Sequence, residues 1–332
     1  MNTMTRLPGL ALLCGIAGLS NWLSSLVEIA GKHPIEASAI AILFGLAIQA
    51  LNLPSEKIKP GLLLSDPLLM WGVVFLGVGL DLSLLTSKGW TILALIVGSM
   101  GLSLGLIYWL SQRAKLSPSL GMLLAAGTTI CGTSAIALIA PLIKAKQEET
   151  SYAVATIASL GLIALFIYPL LAHELSATYL GFGIFAGIAI HSTPQVVGAG
   201  YLYSEISGQT ATAVKLVRNC FIAPLALGIA LRWNKPEVST NTGQVLRKAF
   251  PWFLFAYFFL AGLSALALIP DQLKHLLLEL GKFLIVLGMA GVGINTPLKA
   301  LKTVGLKPFL IGLLGTILHA LIAAGLVFYW GL

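Results

Sequence analysis

The sequence predicts an all-α polytopic membrane protein of about eleven transmembrane helices, and three observations carry that prediction. Of 332 residues, 58% are hydrophobic and only 10% are charged. The mean hydropathy is +0.94. Soluble globular chains run at roughly 45–50% apolar and about 25% charged residues, so lipid is the solvent of a chain this poor in charge. The third observation is spacing: apolar runs recur near the ~20 residues that cross a bilayer as helix. Together these exclude a disulfide-stapled secreted domain, a disordered chain and a soluble nucleic-acid binder.

In order, the runs are 8–30, 35–51, 66–85, 89–111, 117–143, 150–172, 179–204, 209–232, 249–269, 275–297 and 306–331. Arg6 precedes the first as it would in a signal peptide. However, Ser20-Asn21-Trp22 offers no small-x-small cleavage site, so 8–30 reads as an extra N-terminal helix. The run 35–51 is the shortest. All eleven belong to one transmembrane domain, 1–332. Its long polar connection, 232–248, contains Pro236, Gly243 and a Ser/Thr/Asn cluster and reads as a cytoplasmic loop.

Lys and Arg are unevenly shared between the two sides. One side carries Arg6, Lys57, Lys59, Arg113, Lys115, Arg232, Lys235, Arg247, Lys248, Lys299, Lys302 and Lys307. The other carries Lys32, Lys88, Lys144, Lys146 and Lys274. The positive-inside rule then puts the N-terminus in the cytoplasm and, with eleven helices, the C-terminus outside. The net charge of +8 is topological and requires no acidic partner. Cys14, Cys131 and Cys220 lie in apolar runs without C-x-x-C spacing, and no metal site or cofactor is expected.

Three runs contain sequence that a lipid-facing helix avoids. The fifth reads GTTICGTSAIALIAP (127–141), the seventh GIAIHSTPQVVGAG (187–200) and the tenth LGMAGVGINTPLKA (287–300). Glycines permit close packing and hydroxyls can bond back to their own helix. Three segments that mix breakers with donors point further, to interrupted helices lining a cavity. Transporters are often built as inverted repeats with such helices at the midplane. Repeats over 35–172 and 179–331 would make the fifth and tenth runs equivalent and oppositely directed. A second alignment, GVGLDLSLL (77–85) on GVGINTPLK (291–299), competes with that pairing.

Lys215 and Arg218 sit at i, i+3 inside the eighth run with no acid in the same run. Glu205 and Asp81 are the candidate ion-pair partners. Alternatively the two cations, a planar fork and a point charge, form an oxyanion site. His191 is either a packed histidine or a group that titrates near neutral pH and couples proton movement. Ser134 with His191 would make an intramembrane hydrolase dyad, but the flanking G-T-S-A lacks the glycine expected after such a serine. Neither a Walker A motif nor a βαβ dinucleotide fingerprint is present.

The segments GTTICGTSAIALIAPLIKAKQEET (127–150), IHSTPQVVGAGYLYSE (190–205) and VKLVRNCFIAP (214–224) resemble the sulfate exporter family of YeiH-like bacterial inner-membrane proteins. The closing FLIVLGMAGVGINTPLKALKTVGLKPFLIG (283–312) does too. Ser192 and Pro194 stand where that family more often has Asp and Ala, and Gly79 where it tends to have Arg. The resemblance implies a plasma-membrane exporter of sulfate or a related anion. It also implies a distant likeness to sodium/proton antiporters and bile-acid symporters, with a panel domain and a core domain of crossing broken helices.

The expectation is therefore a non-enzymatic secondary transporter, an exporter of a small oxyanion such as sulfate or a sulfonate, working by alternating access. Its substrate site is expected to draw on Cys131, Gly132, Thr133, Ser134, His191, Thr193, Gln195, Lys215, Arg218, Gly293 and Asn295. A cation/proton antiporter of the same fold and an intramembrane hydrolase are the alternatives. The expected partners are the small anion, H+ or Na+ as coupling ion, the lipid bilayer and a second copy of the chain in a homodimer. Nucleic acid is not among them.

Overall fold

The computed structural model describes residues 6–26, 37–51, 58–80, 82–233, 252–296 and 306–331. In chain order its helices are α1 (Leu7–Leu26), α2 (Ala37–Ala50), the single turn α3 (Lys59–Leu62), α4 (Ser65–Leu76, extended by a 3-10 turn Gly77–Gly79) and α5 (Leu82–Arg113). Then follow α6 (Pro118–Thr129), α7 (Thr133–Leu142), α8 (Gln147–Glu174), α9 (Tyr179–Ala189), α10 (Thr193–Tyr203), α11 (Glu205–Asn219) and α12 (Ile222–Trp233). The last three are α13 (Trp252–Ala265), α14 (Asp271–Asn295) and α15 (Leu306–Tyr329). Among the described residues, seven stretches are long and apolar enough to cross a membrane: Leu7–Leu26, Lys59–Gly79, Lys88–Arg113, Gln147–Glu174, Glu205–Trp233, Asp271–Asn295 and Leu306–Tyr329. The polar connection expected at 232–248 lies, from residue 234 onward, outside the described residues.

The chain divides into two compact units, one of Met1–Ser83 with Trp252–Thr296, the other of Leu84–Pro251 with Pro297–Leu332. In the first unit α14 packs against α2 and α4 along a seam of glycines. A Cβ at Gly293 would stand 2.3 Å from the Ile42 carbonyl oxygen, and one at Gly45 would stand 2.3 Å from that of Ala290. Lipid tails supply no hydrophobic drive between helices, so such backbone-to-backbone approach is what holds them together. The tenth run differs here from its sequence reading. Its glycines do not interrupt the helix, which continues to Asn295 and stops two residues before Pro297.

The second unit contains two helical hairpins where the sequence suggested two interrupted spans. Ser119 Oγ donates to Glu149 Oε2 at 2.7 Å, placing the start of α6 beside the start of α8. A Cβ on Gly127 would meet Ile136 of α7 at 2.9 Å and Ile157 of α8 at 3.1 Å. Thus α6 runs alongside the first half of α8 and α7 doubles back. At the other end, Tyr203 Oη donates to the Ala177 carbonyl at 2.6 Å, and Gln195 Nε2 donates to the Ala158 carbonyl at 3.1 Å. So α10 runs alongside the second half of α8, and α9, packed with it on α11, runs the opposite way.

Lengths agree with this reading. The 28 residues of α8 make about 42 Å of helix, whereas the 10–12-residue hairpin legs reach about 15–18 Å each. The two hairpins enter from opposite ends of α8 and meet near its middle. The bases are fixed locally: Ser117 Oγ accepts from Leu120 N at 3.3 Å, with Pro118 in the first turn, and Thr178 Oγ1 accepts from Gly181 N at 3.0 Å. One consequence alters the charge tally. Lys144 and Lys146 lie at the base of the first hairpin, at the same end of α8 as Arg113 and Lys115, not opposite them.

Candidate functional site

Each hairpin tip is a break of three residues. In the first, Ile130, Cys131 and Gly132 separate α6 from α7; in the second, Ile190, His191 and Ser192 separate α9 from α10. Gly132 has φ +68°, a left-handed conformation that glycine adopts without a Cβ penalty. A Cβ there would find only ordinary contacts at 3.5–3.6 Å with His191 and Ser192, so backbone conformation is the constraint, and the two tips touch.

At each tip the first leg ends in carbonyls and the second begins in amides. The carbonyl ends are taken by the buried cations of α11. Lys215 Nζ donates to Ile130 O at 2.7 Å, to Ile190 O at 3.2 Å and to His191 O. Arg218 donates through Nε to Ile130 O at 2.7 Å and through Nη1 to Gly187 O at 3.1 Å. Its Nη2 reaches Ile190 O at 2.8 Å and His191 O at 3.3 Å. Both side chains are fully buried. Carbonyls of the two hairpins, not a carboxylate, thus accept from both cations, and each cation bridges the two tips. The Arg218 fork, read from sequence as open to a ligand, is occupied by backbone. Asp81 lies outside the described residues.

Why carbonyls suffice is a matter of charge. A helix C-terminus carries about −0.5 of an elementary charge. Two of them offset about half of the two cationic charges, and the direct hydrogen bonds repay the desolvation. The acids of the helices around the tips, Glu148, Glu149, Glu174 and Glu205, stand at helix ends and none at mid-length. The meeting point of the hairpins keeps a positive bias.

The amide ends are treated unequally. In hairpin 2, Ser192 N donates to Gln195 Oε1 at 3.2 Å as half of a capping box, and Pro194 has no N–H. Gln195 is held against α8, where a Cβ on Gly161 would stand only 2.1 Å from its Oε1. Hairpin 1 has no side-chain cap. Thr133 is half-buried and Ser134 exposed, whereas the neighbouring Thr128 and Thr129 hydroxyls donate back to Leu124 O and Ala125 O, both at 2.8 Å.

His191 is fully buried; its Nε2 meets Thr316 Oγ1 at 3.1 Å, and Nδ1 has no partner among the described residues. Its hydrogen-bond partner is Thr316, not Ser134. Three groups that sequence reasoning missed complete the surroundings. His319 joins Ser103 Oγ at 2.8 Å through Nδ1 and Ile188 O at 2.9 Å through Nε2, tying α15 and α5 to the second tip. Asn219 Nδ2 donates to Thr193 Oγ1 at 3.2 Å. Asn219 was legible as a polar neighbour of Arg218; His319 and Thr316 carry no motif. Of the residues expected at the site, Cys131, Gly132, Thr133, Ser134, His191, Thr193, Gln195, Lys215 and Arg218 lie at or beside the tips. Gly293 and Asn295 lie in the other unit, where Asn295 Nδ2 donates to Ser65 Oγ at 3.5 Å.

Fold and tips together define a polytopic helical membrane protein whose buried polar centre is made by two opposed half-length hairpins. The chain belongs to the family described as Conserved hypothetical protein 698, whose model matches residues 8–312. Its relatives carry the name UPF0324 membrane protein. One from Bacillus cereus is 31% identical, covering 97% of this chain and 94% of its own length. One from Bradyrhizobium diazoefficiens is 32% identical over 90% of this chain and 86% of its own length. One from Streptococcus pyogenes is 34% identical over 93% of each.

Proposed function

We propose that this membrane protein is a secondary transporter of a small oxyanion, with sulfate, sulfite and small sulfonates as its substrate class. The observation that carries the reading is the positively biased meeting point of the two hairpins, free of acids among the described residues, with the uncapped start of α7 beside it. Free amides at a helix start attract anions. A cation/proton antiporter would need carboxylates where α11 supplies Lys215 and Arg218. No chemical step on the substrate is proposed, since His191 is engaged by Thr316 rather than by a nucleophile.

Within this reading, 118–174 and 179–233 form an inverted repeat, each a hairpin followed by a full span. Ten residues of each tip align at a constant offset, GTTICGTSAI (127–136) on GIAIHSTPQV (187–196). The two compact units serve as core and panel, and a homodimer would associate through the panel. Arg113, Lys115, Lys144, Lys146 and Arg232 share one end of the second unit, against Lys88 at the other, which favours a bacterial inner-membrane orientation with that end cytoplasmic.

The test is electrical. Proteoliposomes on a solid-supported membrane receive jumps of sulfate, sulfite, methanesulfonate, Na+ and pH. Anion-evoked currents are expected, and their dependence on pH or Na+ identifies the coupling ion. Currents driven by Na+ and pH alone, with none from any anion, would overturn the proposal.

A further inference from the structure

We infer that hairpin 1 is the moving part of the site. It parts from hairpin 2 at Ile130, α12 goes with it, and the oxyanion takes the Lys215 and Arg218 donors that the Ile130 carbonyl gives up. This rests on the transporter reading above and assigns its gate and its anion ligands. In the closed arrangement described here the two cations bind the hairpins unequally. Their bonds to hairpin 1 both end on one atom, Ile130 O, at 2.7 Å from Lys215 Nζ and 2.7 Å from Arg218 Nε. The other five end on Gly187, Ile190 and His191 of hairpin 2. No hydrogen bond joins the two tips directly among the described residues. Letting go of a single carbonyl therefore separates the tips, and both cations stay with hairpin 2.

The eighth run is broken where such a movement needs a joint. Its sequence reads as one span, 209–232, yet α11 stops at Asn219 and α12 starts at Ile222. Between them Cys220 N donates to Val217 O and Phe221 N to Arg218 O, both at 3.1 Å and both only three residues back. Pro224 has no N–H for the Cys220 carbonyl four residues earlier, and its ring crowds that carbonyl. Tight turns of this kind and prolines are where helices bend. The two halves also keep different company: α11 packs against α9 and α10, and α12 against α7. Ile222, Ala226 and Ile229 of α12 are buried in one apolar cluster with Ala135 and Ile139 of α7. Each hairpin thus has its own half of the span, and the joint follows directly after Arg218. A continuous helix would fix the hairpins to one another. Once the tips part, one Lys215 proton and the Arg218 Nε–H face the gap. An oxyanion is a stronger acceptor than a carbonyl for such charged donors, so the anion itself favours the parted state.

The experiment measures distances between paired spin labels by pulsed electron resonance, on the full chain in nanodiscs with its native cysteines replaced. Labels go on exposed positions: Ala137 of α7, Leu231 of α12 and Ile206 of α11. The Ala137→Cys/Leu231→Cys pair lies within the moving body and should keep one distance with or without sulfite. The Ala137→Cys/Ile206→Cys pair spans the gap and should show a second distance whose share grows as sulfite is added. Pro224→Ala returns an N–H to the joint and lets the span wind through. It should remove the second distance, with Tm no lower than that of the parent chain. In the chain with native cysteines it should cut sulfite-evoked current about tenfold or more, since a stiffened gate limits turnover. One unchanging distance for both pairs would overturn the inference. So would a second distance that ignores sulfite, or one that survives Pro224→Ala. The transporter reading is decided separately, by the anion-evoked currents of the wild-type chain.

Discussion

Arg218 shows how a residue's role depends on what reaches it. A guanidinium deep in an apolar run invites an anion or an acid, yet its partners are Ile130, Gly187, Ile190 and His191 carbonyls. Arg218→Lys keeps the charge but cannot span four bonds to carbonyls of both tips. We expect a stability loss of about 1.5–3 kcal/mol, the scale of a charged hydrogen bond, seen as a lower Tm in detergent. Lys215→Met leaves three carbonyls facing methyl and methylene groups and should cost about 3–5 kcal/mol, as breaking a buried ion pair does. If either variant kept wild-type Tm, the clamp between the tips would be no stabilising feature. Gly132 is a different case: a Cβ fits the space but not the backbone. Gly132→Val, a β-branched residue at φ +68°, should carry about 1–3 kcal/mol of strain and relieve it by rewinding the tip. Transport should be lost with insertion preserved.

At the scale of elements, the hairpins are held at base and tip by different means. Their bases use Ser117, Glu149 and Thr178, ordinary capping chemistry that a sequence displays openly. The second tip relies on Gln195 lodged against Gly161 of α8, a contact between residues 34 positions apart. Gly161→Ala would place a methyl on the Gln195 amide, expel that side chain and uncap α10. A Tm drop is expected, partly relieved by Gln195→Ala in the same chain. A double variant no more stable than Gly161→Ala alone would show that Gln195 is not the group displaced. Length does not betray the hairpins: 117–143 and 179–204 are long enough to cross the bilayer, and a pattern of apolar residues has no direction. Only the partners of Ser119, Gly127, Gln195 and Tyr203 distinguish a leg that returns from one that continues.

For the whole molecule, the hairpins change the topology in a way that labelling detects. Were 117–143 a span, Lys115 and Lys146 would face opposite sides; as a hairpin, they face one side. On a cysteine-free background, with Cys14, Cys131 and Cys220 replaced, Lys115→Cys and Lys146→Cys should both resist an impermeant thiol reagent in intact cells. Ser176→Cys, beyond the far end of α8, should react. Opposite labelling of the first two would restore the crossing-helix arrangement.

What the sequence determines by itself follows from local properties. Composition fixes the solvent, apolar runs locate the long helices, and breakers beside donors mark the tips at Gly132 and His191–Pro194. Lys215 and Arg218 are conspicuous because charge is costly in hydrocarbon. The tertiary structure decides the remainder, because those questions concern partners. It makes α14 continuous, because Gly45 and Ile42 of α2 fill the space its glycines leave. It folds two runs back on themselves, turns two cations from ligands into clamps, and leaves one hairpin start uncapped. None of these is encoded in a window of neighbouring residues, since each depends on a contact across the fold that satisfies a backbone group or fails to.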